Sequence, residues 1–193
     1  MSCRRCFTPL FLLFLAFAAT PALAEIEFPD ERNEPKLPST FEEPEPWREQ
    51  GSELPPLPED GDLLEVKPMD SDPYFHYWVD AASLSIGADE VIRYTMVITS
   101  NLGPARNLRF EGMLCGANEY RTYAHGTPDG AWRTVRNSSW ESFTADSSDR
   151  IRWDLKRYFF CKDGMGKPLP RNQILQNLRR GGNADQGTRW FFD

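Results

Sequence analysis

Residues 110–126, FEGMLCGANEYRTYAHG, bring Cys115, Glu119 and His125 within eleven positions. A thiol, a carboxylate and an imidazole at that spacing are the components of a nucleophilic site, provided that the thiol ionises and escapes oxidation. The competing account makes Cys115 half of a disulfide and leaves Glu119 and His125 solvated on a strand. The compartment in which the chain folds separates the two.

The first 24 residues have the layout of a cleaved secretory signal. Arg4 and Arg5 make a positive start, PLFLLFLAFAA is an apolar core, and ALA at 22–24 is a small-x-small cleavage site before Glu25. The run is shorter than the roughly 20 residues of a spanning helix. Arg4-Arg5 resembles a twin-arginine signal, but the short start and the Phe- and Leu-rich core suit the general secretory route. Cys3 and Cys6 precede the apolar core, so neither becomes the acylated first residue of a lipoprotein. Cleavage between Ala24 and Glu25, and an unlipidated periplasmic chain, are expected.

Of the four cysteines, only Cys115 and Cys161 then remain. An even pair in an oxidising compartment is expected to be bridged. The loop between them spans 46 residues, which the chain-entropy model values at about 4 kcal/mol. His125, in TYAHGTPDG, stands where a strand enters a turn. The expectation is therefore a structural disulfide and no catalytic residue.

The elements that position these residues follow from periodicity. Residues 25–44 are acidic and proline-rich, too poor in apolar groups to offset ordering entropy. Residues 45–72 add Trp47, Leu54, Leu57, Leu63, Leu64 and Val66 to the prolines, so a stiff extended segment packed on a domain is expected. Alternation then marks strands: YFHYWVDAASLSI, VIRYTMVITS with Ile92, Tyr94, Met96 and Ile98 on one face, and NLRFEGMLC with Leu108, Phe110 and Leu114 on one face. EYRTYAH and AWRTV complete a meander. Helical stripes follow in SSDRIRWDLKRYFFC (Ile151, Leu155, Tyr158 or Phe159) and PRNQILQNLRRGG (Ile174, Leu175, Leu178). The predicted fold is α+β, a twisted antiparallel sheet of five or six strands with two short C-terminal helices and one disulfide. Its domain covers 45–180, and 181–193 forms a tail.

Several blocks, FHYWVDAASLSIGADEVIRYTMVITS, FEGMLCGANEYRTYAHGTPDGAW and RNSSW, resemble the family named for a cryptic neisserial protein, a set of bacterial periplasmic proteins. The resemblance runs from about Trp47 to the second helix. It implies an exported envelope protein and supplies no catalytic residue to transfer. The lipid attachment of some members does not carry over, because no cysteine stands at the cleavage point.

Other chemistry is poorly supplied. His76 and His125 are the only histidines, without CxxC or HxxxH spacing. GGNADQG neither follows a strand nor opens a helix, and no Gly-x-Ser-x-Gly elbow occurs. Neither cofactor nor metal is expected, and no nucleic-acid partner. Asp80, Glu111, Glu119 and Asp154 are the carboxylates from which a hydrolase would have to be built.

Charge points elsewhere. Residues 25–72 hold 16 acids and 4 bases, whereas residues 73–193 hold 13 acids and 16 bases, 13 of them Arg. By alternation Arg93, Arg109, Arg121 and Arg133 lie opposite the apolar side of their strands, and they are the candidate anion-binding residues. Guanidinium forks suit carboxylates and phosphates, so an anionic envelope polymer or another envelope protein is the candidate partner. Cross-strand pairing with Glu111 and Glu119, or contact with the acidic stretch at 25–72, accounts for the same charges. The expected function is a non-catalytic binding or structural component of the cell envelope; the alternative is a carboxylate-based periplasmic hydrolase.

Overall fold

The computed structural model describes residues 45–68, 72–145, 150–162 and 165–181. The expected leader, the 25–44 stretch and the tail beyond Gly181 lie outside these.

Alternation becomes a single antiparallel sheet because Val, Ile, Thr and aromatic residues suit a pleated surface. Its order is β1 (Leu63–Val66), β2 (Phe75–Asp80), β4 (Ile92–Ser100), β5 (Arg106–Leu114), β6 (Glu119–Gly126) and β7 (Trp132–Thr134). Two-residue strands β3 (Ser85–Ile86) and β8 (Glu141–Ser142) add to β4 and β6. Among the described residues the sheet therefore has eight strands, not five or six. The additional ones are β1 and β8, too short for a period of two to show, and β3, which belongs to the run YFHYWVDAASLSI and is separated from β2 by a turn. β1 places residues 63–66 of the expected extended segment at the sheet edge.

One face of the sheet carries the helical layer. Tyr94 and Met96 of β4, Val79 of β2 and Met113 of β5 meet Ile151, Leu155, Phe159 and Phe160, and Tyr94 stands edge-on to Phe160 at 5.0 Å. The first helical stretch is not one α-helix. It begins as α1 (Arg150–Asp154), widens to a π-helical turn over Leu155–Phe160, and ends in a strand, β9 (Cys161–Lys162), paired with β10 (Lys167–Pro168). A widened turn rotates the following side chains relative to a regular helix, so Phe159 and Phe160 are both buried. Cys161 bonds Cys115, just after β5, with 5.7 Å between Cα atoms. The last helix, α2 (Arg171–Arg180), buries Ile174, Leu175 and Leu178 as its stripe predicts. Gly181, at φ 81°, ends it in the left-handed conformation and donates its N–H to the Asn177 carbonyl.

The other face is covered as well, by residues 45–58. Trp47 Nε1 donates to the Asp89 carbonyl, the Gln50 N–H to the Asp89 carboxylate, and Trp132 Nε1 to the Pro55 carbonyl. Prolines stiffen this segment before it docks, which lowers the entropy lost on ordering. In β5 alternation separates Leu108 and Phe110 from Arg109, Glu111 and Cys115 as expected, but burial on both faces hides which side meets the helices. Phe110 is on the segment's face, where it meets Tyr123 and Trp132, while Glu111, Met113 and Cys115 point into the helical core. A strand covered on both sides has no polar face, so alternation of residue type cannot say which side is the core.

Candidate anion-binding site

The four candidate arginines do not share a face. Arg93, Gly112 and Arg121 are in register across β4, β5 and β6, and cross-strand partners point the same way. Arg109, His125 and Arg133 form a second row across β5, β6 and β7. Arg109 is also in register with Met96, a residue of the helical core, so the second row belongs to the opposite face.

The first row is closed by the chain itself. Arg93 holds Asp89 bidentately, Nη1 to Oδ1 at 3.1 Å and Nη2 to Oδ2 at 2.7 Å, and Nη2 also donates to the Gln50 carbonyl. Burial by itself would raise the Asp89 carboxyl, but hydrogen bonds from Arg93, Gln50 and Val91 and the Arg93 charge hold it below the usual carboxylate range. Glu49 receives Arg121 Nη1 at 2.5 Å, the Tyr123 hydroxyl at 2.6 Å and Trp140 Nε1 at 3.1 Å, with Arg93 Nη2 at 3.8 Å. Burial, and after it the bond to Glu49, pushes the Tyr123 phenol up.

Tyr123 reaches Glu49 for two local reasons. The β5–β6 register shifts between Phe110 and Glu111, which makes Tyr123 the extra residue of a bulge. Gly112 then leaves room for its ring, since a Cβ there would lie 2.9 Å from Tyr123 Cζ. The ring sits between the two guanidinium groups, 6.0 Å from Arg93 and 5.7 Å from Arg121. An acidic residue of the proline-rich segment thus completes the first row, the self-contact that the charge asymmetry allows. A pocket of about 350 Å³ borders Glu49, Arg121 and Tyr123, but these polar groups are already mutually engaged.

The helical face holds a second closed cluster. Glu111 is fully buried and takes Arg152 Nη2 at 2.7 Å, Arg152 Nε at 3.1 Å and the Tyr94 hydroxyl at 3.1 Å. Arg152 rests 3.8 Å from the centre of the Tyr120 ring. Desolvation would lower the Arg152 pKa, but the Glu111 charge and hydrogen bond reverse it and push it up. Two of the other carboxylates considered for hydrolysis, Asp80 and Asp154, are engaged locally. Asp80 accepts the N–H groups of Ala82 and Ser83 in the turn after β2, and Asp154 accepts Arg150 Nε at 3.1 Å. Glu119 is in register with Ser142 of β8. Cys115 is bonded to Cys161 and is not a free nucleophile, and His125 is exposed at the end of β6.

Arg109 is different. It is half-buried, and among the described residues no hydrogen bond or ion pair reaches its guanidinium. With Arg152 it lines a pocket of about 230 Å³ whose walls include Met96, Ile98 and Ile151. Tyr77 lines the pocket too, its hydroxyl donating to Asp72 at 2.7 Å. Arg152 brings little net charge because Glu111 neutralises it. His125 and Arg133 stand beside Arg109 on the same face, with Asp129 in the field of Arg133. The arrangement offers one open guanidinium over an apolar floor, able to hold an anion without competing for an internal salt bridge.

The family model described as CNP1-like family matches residues 42–179. The chain belongs to the CNP1-like family. No curated protein and no solved structure matches it. The matched span begins before Trp47, so the segment bearing Glu49 is part of the CNP1-like domain and not a leader ahead of it. Among the described residues no group of three His, Cys, Asp or Glu is placed to hold a metal ion, and no helix is long and apolar enough to cross a membrane.

Sequence reasoning included Arg109 among the candidates but missed what singles it out. Its neighbours in the row and its lack of a partner depend on register. Glu49 and Gly112 carried faint signals: an acid beside Trp47 in a proline-rich stretch, and a glycine inside a strand, where close approach of another group is a common reason.

Proposed function

We propose that this member of the CNP1-like family is a non-catalytic binding component of the bacterial cell envelope, exported to the periplasm, with the Arg109 pocket as its anion-binding site. The observation that carries this is a contrast among charged groups. The carboxylates of Asp89, Glu111, Asp154 and Glu49 are each held by an arginine, whereas Arg109 lies open in a pocket. A hydrolase needs a carboxylate free to exchange a proton with substrate; a binding protein needs a fixed, unpaired charge. Support for export is the leader-like sequence of residues 1–24 and the bridged cysteine pair, which suits an oxidising compartment.

Intact-mass measurement on protein recovered from periplasmic extract under non-denaturing conditions tests both parts. The expected result is a chain beginning at Glu25, together with an acidic small molecule that is absent from an Arg109→Met preparation. A chain retaining Phe11–Ala19 would contradict the export route. Substrate turnover by wild type that vanishes in Asp154→Asn would contradict the non-catalytic assignment.

A further inference from the structure

The surroundings of Arg109 specify more than an anion. The pocket is small. At about 230 Å³ it falls below the roughly 300–1,000 Å³ that encloses a whole drug-sized ligand, so it takes one end of a molecule. Its floor of Met96, Ile98 and Ile151 is aliphatic, which a hydrated inorganic ion would not favour.

The way out carries large apolar side chains, beside an Asp72 carboxylate already occupied by the N–H groups of Tyr74 and Phe75 and the Tyr77 hydroxyl. Phe75 lines the pocket and is 40% exposed; its chain neighbour Tyr74 is 56% exposed, and Leu102 in the β4–β5 turn is 80% exposed. The Asn101 N–H donates to the Tyr74 carbonyl at 2.9 Å and its side chain to the Pro73 carbonyl at 3.0 Å, which brings that turn against residues 73–74. One end of the sheet therefore brings the exposed residues Phe75, Tyr74 and Leu102 to the same edge, beside the pocket whose Arg109 guanidinium has no hydrogen-bond or ion-pair partner among the described residues. An acid group at Arg109 would leave its tail lying on them.

We infer that the Arg109 pocket binds an amphiphilic anion: a single carboxylate or phosphate head on Arg109, followed by an alkyl or acyl chain that runs over Phe75 toward Tyr74 and Leu102. The inference rests on the anion-binding assignment made above and adds the class of ligand. Head and tail contribute separately. A charge-assisted hydrogen bond from Arg109 strengthens binding about ten- to a hundredfold. Each methylene that leaves water adds about fourfold.

Calorimetric titration of the full chain with acetate, octanoate and octanol, and co-sedimentation with vesicles containing phosphatidylglycerol, separate the possibilities. Octanoate should bind at least about tenfold more tightly than either acetate or octanol. Arg109→Met, checked for folding by circular dichroism, should lose that preference over octanol, while Arg180→Met, which removes the same charge from the exposed end of α2, should not. Vesicle binding that disappears in Arg109→Met without octanoate binding assigns the head to a phospholipid and supports the inference. Acetate bound as tightly as octanoate would leave an anion site and overturn the amphiphile. Failure of wild type to bind any probe, or octanoate binding unchanged in Arg109→Met, would overturn both the ligand class and the site.

Discussion

Glu111→Gln is expected to lower the unfolding free energy by about 3–5 kcal/mol, the cost of leaving a buried charge without its counter-ion. Arg152 is 4% exposed and gives two hydrogen bonds to the Glu111 carboxylate, so the neutral amide leaves a guanidinium in the core without the charge that balances it. At this chain length each kcal/mol moves the melting midpoint by roughly 2–4 °C, so a fall of the order of 10 °C is expected. Glu111→Met combined with Arg152→Met should recover much of the loss, because replacing both partners removes the desolvation of two ions. Urea unfolding of the three proteins provides the check. A loss below about 1 kcal/mol in the single variant would place the pair in the class of solvent-screened surface bridges.

Replacing Cys115 and Cys161 with serine is expected to cost about 4 kcal/mol, from the 46-residue loop that the bond closes. The bond joins the end of β5 to the end of the π-helical turn, so without it the helical layer is held to that strand by packing and by the Arg152–Glu111 pair. The two losses should therefore not add. A chain lacking the disulfide has already loosened the segment that holds Arg152, and the triple variant should show a coupling of about 0.5–3 kcal/mol. Thiol titration of the denatured, unreduced chain beginning at Glu25 should find no free cysteine. One reactive thiol would return Cys115 to consideration as a nucleophile.

Much of the architecture was legible from periodicity, and the misses share a cause. The faces of β4, the stripe of α2 and the bridge between Cys115 and Cys161 follow from local pattern and compartment, and the structure bears them out. In β5 Leu108 and Phe110 stand opposite Arg109 and Glu111 as alternation has it, but which side meets the helices was not legible, because Phe110 and Met113 are both buried. Glu111 in the core could not be foreseen from β5 alone; its acceptability depends on Arg152, 41 residues away in sequence. The candidate site was half legible for a similar reason. Composition marked the arginines, but it was register that sent Arg93 and Arg121 to Glu49 and left Arg109 and Arg133 on the other side. Long-range pairing of this kind is set by turn geometry and by a bulge at Tyr123, neither of which has a strong signature in residue type.

The difference between closed and open arginines can be observed directly at the side-chain Nε–H resonances. Titration with acetate at low ionic strength, followed by nuclear magnetic resonance, should move the Arg109 signal, because its guanidinium has no competitor among the described residues. Arg93, Arg121 and Arg152, each bound to a carboxylate, should stay in place. Added salt should weaken the Arg109 response only modestly, since a half-buried charge is screened less than an exposed one. Movement of Arg93 and Arg121 with Arg109 unchanged would contradict the account, because it would place the binding charge on the face that Glu49 closes.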